Sequence, residues 1–389
     1  DEFLFKYHNN NSRCHSRYSM KKDLTSEHIT RSKKIRTRLK DKSVDVLLVL
    51  NSTNIRYLCG HTGEFSVLLI FKKKSYLITH YRNDVKAERD TTGCTIHPII
   101  RDGLLHPNDV IVEAKKIISD HKVKIIAVDP GLDYQRFLNI RNQFKPLKTI
   151  QTDIVEGCRS IKSDYEIRML KYAQLEAEKI MNLFLNEIKP GVSEKFLHHK
   201  LLALIYDNVA LEGPSFLPII ASGESAWGIH SYYTNRKIHK NDCIVIDMGV
   251  KYKGYCSDMT RTVFVGKPTS QMKEVYQIVL DAQLAAENKI KPGMQNHSVD
   301  WAAREVIEKA GYKEYFSHGL GHSIGLDVHE APYLSYIKKR EILKENMLFT
   351  FEPGIYLAKK FGVRIEDTIL LTKSGCKNIT HFPKDLRVL

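Results

Sequence analysis

A duplicated pattern in the C-terminal part constrains the fold of this chain more than any other feature. Ile188-Lys189-Pro190-Gly191 recurs as Ile290-Lys291-Pro292-Gly293. Each copy lies between two stretches of helical periodicity, so each reads as helix, Pro-Gly stop, helix. Further on, Lys240-Asn241-Asp242-Cys243-Ile244-Val245-Ile246-Asp247-Met248-Gly249 is echoed by Lys344-Glu345-Asn346-Met347-Leu348-Phe349-Thr350-Phe351-Glu352-Pro353-Gly354, both apolar strands ending on an acidic residue. Each half then returns through a second acidic strand, Tyr255 to Arg261 in the first and Gly362 to Thr368 in the second. A four-residue match alone is weak, but the shared order of helix, stop, helix, acidic strand and acidic strand is that of a duplication.

If Asp247, Asp258, Glu352 and Glu366 lie on adjacent strands of one sheet shared by the two halves, four carboxylates converge on one pocket. Like charges that close raise one another's pKa values and destabilise the fold, so cations are expected among them. Four acids exceed what one ion needs and suit a divalent pair about 3.5 to 4 Å apart. The plainer alternative is strand-end acids facing solvent or paired with Arg261 and Arg364. It suits any one of them better than all four in matching places.

The run from His318 to Glu330 holds His318, His322 and His329 among Gly319, Gly321 and Gly325. Three glycines make a helix poor here, and a strand or tight loop is expected. In an extended segment His318 and His322 share a face, so one can bind metal while the other meets substrate. His230 stands before the first acidic strand much as His329 stands before the second.

At 389 residues the chain is long enough for two domains. Residues 1–22 are polar and basic and read as an extension outside the folded domains, with disorder expected there. A mixed α/β domain is expected over residues 23–155: a helix from Thr25 to about Lys42, strands at Val44 to Leu50, Phe65 to Phe71, Ser75 to Thr79 and Lys124 to Val128, and a helix from Asn108 to His121. The second domain, residues 156–389, opens on a helix from Asp164 to about Ile188 capped by Ser163. No apolar run could span a bilayer. Seven scattered cysteines, never spaced Cys-x-x-Cys, speak against a disulfide framework or thiolate zinc site and suit a reducing compartment. The charge of +15 raises nucleic-acid binding, but the basic clusters Arg31 to Lys42 and Lys72 to Lys74 lack aromatic interleaving. They read as a solvated helix face and a hairpin turn, and no nucleic-acid partner is expected.

At Asp247-Met248-Gly249, Ser257-Asp258-Met259-Thr260-Arg261, the His-Gly-x-Gly-His run, Phe351-Glu352-Pro353-Gly354-Ile355-Tyr356 and Val363-Arg364-Ile365-Glu366-Asp367, the chain resembles the pita-bread metallopeptidases, the family of methionine aminopeptidase, Xaa-Pro aminopeptidase and prolidase. The resemblance implies a mixed α/β, creatinase-like N-terminal domain followed by a pseudo-twofold pita-bread α+β catalytic domain. By it, Asp247, Asp258, His322, Glu352 and Glu366 are metal ligands, Asp258 and Glu366 bridging. The N-terminal domain and the entry Arg159-Ser160-Ile161-Lys162-Ser163 look like the proline-specific branch. There His230 and His329 match substrate and transition-state histidines, and His318 a residue near the leaving proline.

The expected activity is hydrolysis of the Xaa-Pro bond at the N-terminus of peptides, with Xaa-Pro dipeptidase activity as the alternative and a non-peptidase carbon–nitrogen hydrolase or a silent binding module as remoter readings. Two divalent ions would acidify water, Glu352 would pass its proton on, His230 and His329 would steady the oxyanion, and Arg364 would orient Asp247 and border the substrate. Oxygen-rich ligation favours Mn²⁺, with Co²⁺, Zn²⁺ or Fe²⁺ as alternatives. A cytoplasmic homodimer acting on proline-containing peptides completes the expectation.

Overall fold

The computed structural model describes residues 10–100, 106, 108–231, 233–338 and 340–389. It divides into two compact units, one ending at Cys158 and the other running from Arg159 to Leu389. The expected extension lies outside the described residues as far as residue 9. From there helix α1 (Asn10–Asp41) begins well before Thr25, where the helix was expected to start.

The first unit is built on a six-stranded mixed sheet of order β4-β3-β2-β1-β5-β6, comprising β1 (Val46–Val49), β2 (Val67–Phe71), β3 (Ser75–His80), β4 (Thr95–Ile99), β5 (Ile125–Val128) and β6 (Lys148–Gln151). Its strands are linked through α2 (Ser52–Cys59), α3 (Asp84–Asp90), α4 (Asp109–Ser119) and α5 (Tyr134–Gln143). Val110, Ile111, Ala114 and Ile118 recur at helical spacing on α4 and close over Leu48, Leu69 and Ile126. Burial on both faces explains why the central strands read as unbroken apolar runs. Lys72 to Lys74 form the turn between β2 and β3, as expected. The other basic cluster is not simply a solvated face. Arg31 is buried and donates to the Tyr57 carbonyl at 2.9 Å, Arg36 donates to the Phe71 carbonyl, and Arg38 reaches the Ile154 carbonyl.

The single turn α6 (Glu156–Arg159) ends on the residue that opens the second unit, and α7 (Asp164–Phe184) follows. Ser163 and Glu166 close a reciprocal capping box at the start of α7. Then come α8 (Glu194–Tyr206), α9 (Ser270–Lys289) and α10 (Asn296–Lys309). A small sheet joins β7 (Gly213–Pro214), β10 (Val250–Tyr252) and β11 (Tyr255–Cys256). The first half's main sheet has the order β20-β12-β9-β8, with β8 (Ile219–Ser222), β9 (Cys243–Met248), β12 (Met259–Phe264) and β20 (Arg387–Val388). The second half's has the order β14-β13-β15-β18-β19, with β13 (Gly321–Ser323), β14 (Glu330–Leu334), β15 (Leu348–Phe351), β18 (Asp367–Leu371) and β19 (Cys376–Asn378). β16 (Gly354–Leu357) pairs with β17 (Phe361–Arg364). No helix of the described residues is long and apolar enough to cross a membrane.

The duplication extends to single hydrogen bonds. Gly191 N–H donates to Ile238 O and Gly293 N–H to Leu343 O, both at 2.8 Å, and both glycines sit at φ near +90°. Val265 N–H donates to Asp242 O and Leu371 N–H to Met347 O, both at 2.9 Å. Three expectations need correction. The acids do not share one sheet, since the two halves keep separate sheets. Neither second acidic strand is continuous, for Asp258 falls between β11 and β12, and Glu366 between β17 and β18. Nor are Asp258 and Glu366 equivalent: Thr260 lies opposite Asp247 and Asp367 opposite Phe351, so the first-half residue matching Glu366 is Thr260.

β9 is buried on both faces. Ile244, Ile246 and Met248 face a core with α7 and α8, whereas Cys243 and Val245 face the core of α9, α10 and the second sheet. Period-two alternation puts Asp247 on the Cys243 and Val245 side, toward the second half.

Candidate metal centre

Three side chains from different breaks and strands meet most closely: Asp258, His322 and Glu366 each offer a ligand atom, all within 4.8 Å of one another and all buried. His322 Nε2 is 3.7 Å from Asp258 Oδ2 and 3.3 Å from Glu352 Oε1. Glu352 follows the end of β15, held by its own N–H on the Leu320 carbonyl at 2.8 Å and by the Thr350 hydroxyl at 3.1 Å. Asp247 is approached by Arg364 Nη2 at 2.7 Å. All five expected ligands therefore border one cluster.

Two oxygens mark the cluster as incomplete within the protein. Asp247 Oδ1 and Glu366 Oε1 are buried and, among the described residues, have no hydrogen-bond partner. Buried carboxylate oxygens without a donor are costly. Burial, and after it the neighbouring carboxylates, holds Asp258 and Glu366 well above the usual carboxylate range. Burial also pushes Glu352 up, but the hydrogen bond and charge of His322 outweigh it and bring it to about 2. His322 responds in kind: burial would lower it, yet Glu352 and Asp258 raise it to about 9. Its Nδ1 faces the Ser323 carbonyl at 3.1 Å and so carries hydrogen, leaving Nε2 toward the acids. A proton on Nε2 there does electrostatically what a cation would do better. Divalent cations fit this donor set of four carboxylates and one imidazole.

Arg364 is buried, and four of its five N–H donors are engaged: Nε with Thr260 Oγ1, Nη1 with the Ile229 carbonyl and Tyr356 Oη, and Nη2 with Asp247. A chain runs from Arg364 through Tyr356 Oη, 2.9 Å away, to His318 Nε2, 3.0 Å further. The Gly319 carbonyl at His318 Nδ1 requires hydrogen there, so Nε2 accepts from tyrosine. Burial lowers His318, keeping it neutral.

His329 is exposed at the surface, its ring 4.3 Å from that of His322, and partial desolvation of the ring, followed by the charges of His322 and His230, lowers its pKa. His230 is exposed as well, in the loop after β8; His329 lies in the loop after β13, the corresponding strand. Both thus stand at the rim of the acidic cluster.

Thr260 and Tyr356 went without roles in the sequence reading. Thr260 donates to Glu366 Oε2 at 2.7 Å. Both residues lie inside the motifs quoted above, but the position of Thr260 opposite Asp247 appears only in the folded register.

Two family models match the chain: metallopeptidase family M24 over residues 168–373, and the creatinase/prolidase N-terminal domain over residues 31–161. The Xaa-Pro dipeptidase of Pyrococcus horikoshii is 34% identical over 360 residues, covering 91% of this chain and 97% of that protein. Among solved structures, an Xaa-Pro dipeptidase from Bacillus anthracis has a TM-score of 0.86 at 35% identity, covering 93% of this chain and 100% of that one. An X-Pro aminopeptidase from Thermotoga maritima has a TM-score of 0.84 at 34% identity, covering 92% and 99%.

Proposed function

Because this chain belongs to metallopeptidase family M24 and carries that family's creatinase/prolidase N-terminal domain, we propose that it hydrolyses the Xaa-Pro bond at the N-terminus of peptides, with two divalent ions, Mn²⁺ before Co²⁺, Zn²⁺ or Fe²⁺, held by Asp247, Asp258, His322, Glu352 and Glu366. The observation that carries the reading is the pair of buried oxygens on Asp247 and Glu366 that have no hydrogen-bond partner among the described residues, within a cluster of four carboxylates. When bound, such ions lower the pKa of water and polarise a carbonyl.

Around them the protein's own groups have separable tasks. Glu352, less enclosed than Glu366, takes a proton and returns it to the departing nitrogen. His230 and His329, at the rim, offer N–H donors to the substrate carbonyl as charge develops on its oxygen. His318, neutral and fixed by Tyr356, borders the place of the proline ring. Arg364 holds Asp247 in one orientation, a positioning part that occupies most of its donors. A homodimer in the cytoplasm remains part of the reading.

Xaa-Pro dipeptidase activity is the second reading, favoured by the similarity to the Pyrococcus horikoshii and Bacillus anthracis proteins of that name. Product analysis with Mn²⁺ on Ala-Pro, Ala-Pro-Ala and Ala-Ala separates the cases. Cleavage of the tripeptide indicates an aminopeptidase, and cleavage of the dipeptide alone a dipeptidase. Proline's nitrogen carries no hydrogen, and an unsatisfied buried N–H costs about 1 to 3 kcal/mol, so Ala-Pro is expected to exceed Ala-Ala in kcat/KM by about tenfold to hundredfold. Full activity in a rigorously metal-free preparation, or equal rates on proline and alanine substrates, would overturn the proposal.

A further inference from the structure

The entry to the second unit contains basic residues that the chemistry above does not use, and they converge on the loop carrying His329. The Lys162 side chain is fully buried, its ammonium 3.0 Å from Ser323 Oγ and 3.3 Å from Glu330 Oε2. Arg159 Nη2 donates to the other Glu330 oxygen, Oε1, and at 2.7 Å to Asp327 Oδ2. Ser323 and Glu330 are partners across the ladder between β13 and β14, at the point where its register shifts after His322. Their chain neighbours are His322 and His329, whose rings lie 4.3 Å apart. At Gly325 an added Cβ would come within 2.6 Å of Glu330 Oε1, so the loop wraps this carboxylate with no side chain between.

A bulge beside a site re-aims the side chains next to it, and this one is tied at both feet by a single ammonium. Stability alone does not call for that arrangement. Apolar residues of similar volume often replace a buried ion pair with no loss, whereas an ammonium bonded to two fixed oxygens dictates where they stand relative to each other. We propose that Lys162 is a positioning residue: by holding Ser323 and Glu330 together it fixes the 323–330 loop, and with it the His329 ring, beside the carboxylate cluster. The consequence for catalysis rests on the reading that His329 meets the substrate.

The test is Lys162→Met in the full chain, read by hydrogen exchange of the 323–330 amides, by bound Mn²⁺, and by kcat and KM on an Xaa-Pro substrate. The expected result is faster exchange confined to that loop, metal content unchanged, and kcat lowered about 10- to 100-fold with KM little changed. Lys162→Arg, which keeps the charge, should recover part of both loop protection and kcat. Unchanged exchange together with kcat within twofold of the parent overturns the proposal. If Lys162→Met does not fold, Ser323→Ala, which keeps every charge, decides by the same two readouts in the same directions. If the parent protein cuts no Xaa-Pro substrate, the functional reading falls, while loop exchange in Lys162→Met still judges the positioning role.

Discussion

Replacing Thr260 by valine removes a hydroxyl while keeping shape and β-branching, and it tests the hold on Glu366. The buried hydroxyl donates to Glu366 Oε2 at 2.7 Å and accepts from Arg364 Nε at 3.2 Å. With Oε1 unpartnered among the described residues, valine leaves the carboxylate without a side-chain donor on either oxygen. In the metal-free protein, burial and the neighbouring acids favour the neutral form of Glu366, and a neutral hydrogen bond is worth about 0.5 to 1.5 kcal/mol. With metal bound the group is charged, and the same bond is worth about 1.5 to 3 kcal/mol. Arg364 loses its acceptor in both states, so that loss cancels. The difference, about 1 to 1.5 kcal/mol, appears as metal affinity weakened about five- to tenfold. Titration with Mn²⁺ against a competing chelator at neutral pH measures it. Affinity within twofold of the parent, in a variant that binds metal and melts normally, would refute the assignment of Glu366 as a charged ligand held by Thr260.

Two further outcomes follow from the same geometry. If Glu366 bridges two ions, as the resemblance implies, while His322 serves one, Glu366→Ala should lose more metal than His322→Ala when both are dialysed and assayed by atomic absorption; equal losses would count against bridging. Gly191→Ala and Gly293→Ala should each cost about 1 to 2 kcal/mol in denaturant unfolding, because both positions have φ near +90° and open space where the methyl would go, leaving backbone strain as the only penalty. A difference above about 1 kcal/mol between them would argue against equivalent turns.

The repeat was legible in the sequence because duplication preserved the things that a sequence displays: Pro-Gly stops, apolar strands and terminal acids. The breaks at Asp258 and Glu366 were not. Met259 between Asp258 and Thr260, and Ile365 between Arg364 and Glu366, read as ordinary strand alternation, so no local punctuation marks the point where the chain leaves one sheet for another. Arg31, Arg36 and Arg38 looked solvated because their acceptors, the carbonyls of Tyr57, Phe71 and Ile154, are remote in sequence. Tyr356 reads as an ordinary core aromatic until folding brings Arg364 and His318 to its hydroxyl. Candidate ligands were easier to find than the residues that hold them, since acids and histidines in strands stand out while a buried threonine or lysine declares its role only through its neighbours.

Thr260 and Glu366 occupy the same station in the two halves, and they touch each other. Around them the contacts are reciprocal: the Thr262 hydroxyl donates to the Arg364 carbonyl, and that of Thr368, its counterpart, donates to the carbonyl of Asp258. In an ancestor made of two identical half-length chains, whatever stood at this station would have met its own copy, threonine against threonine or glutamate against glutamate. In the single chain the two copies differ at this station, and a threonine hydroxyl donates to a glutamate carboxylate across the join between the halves.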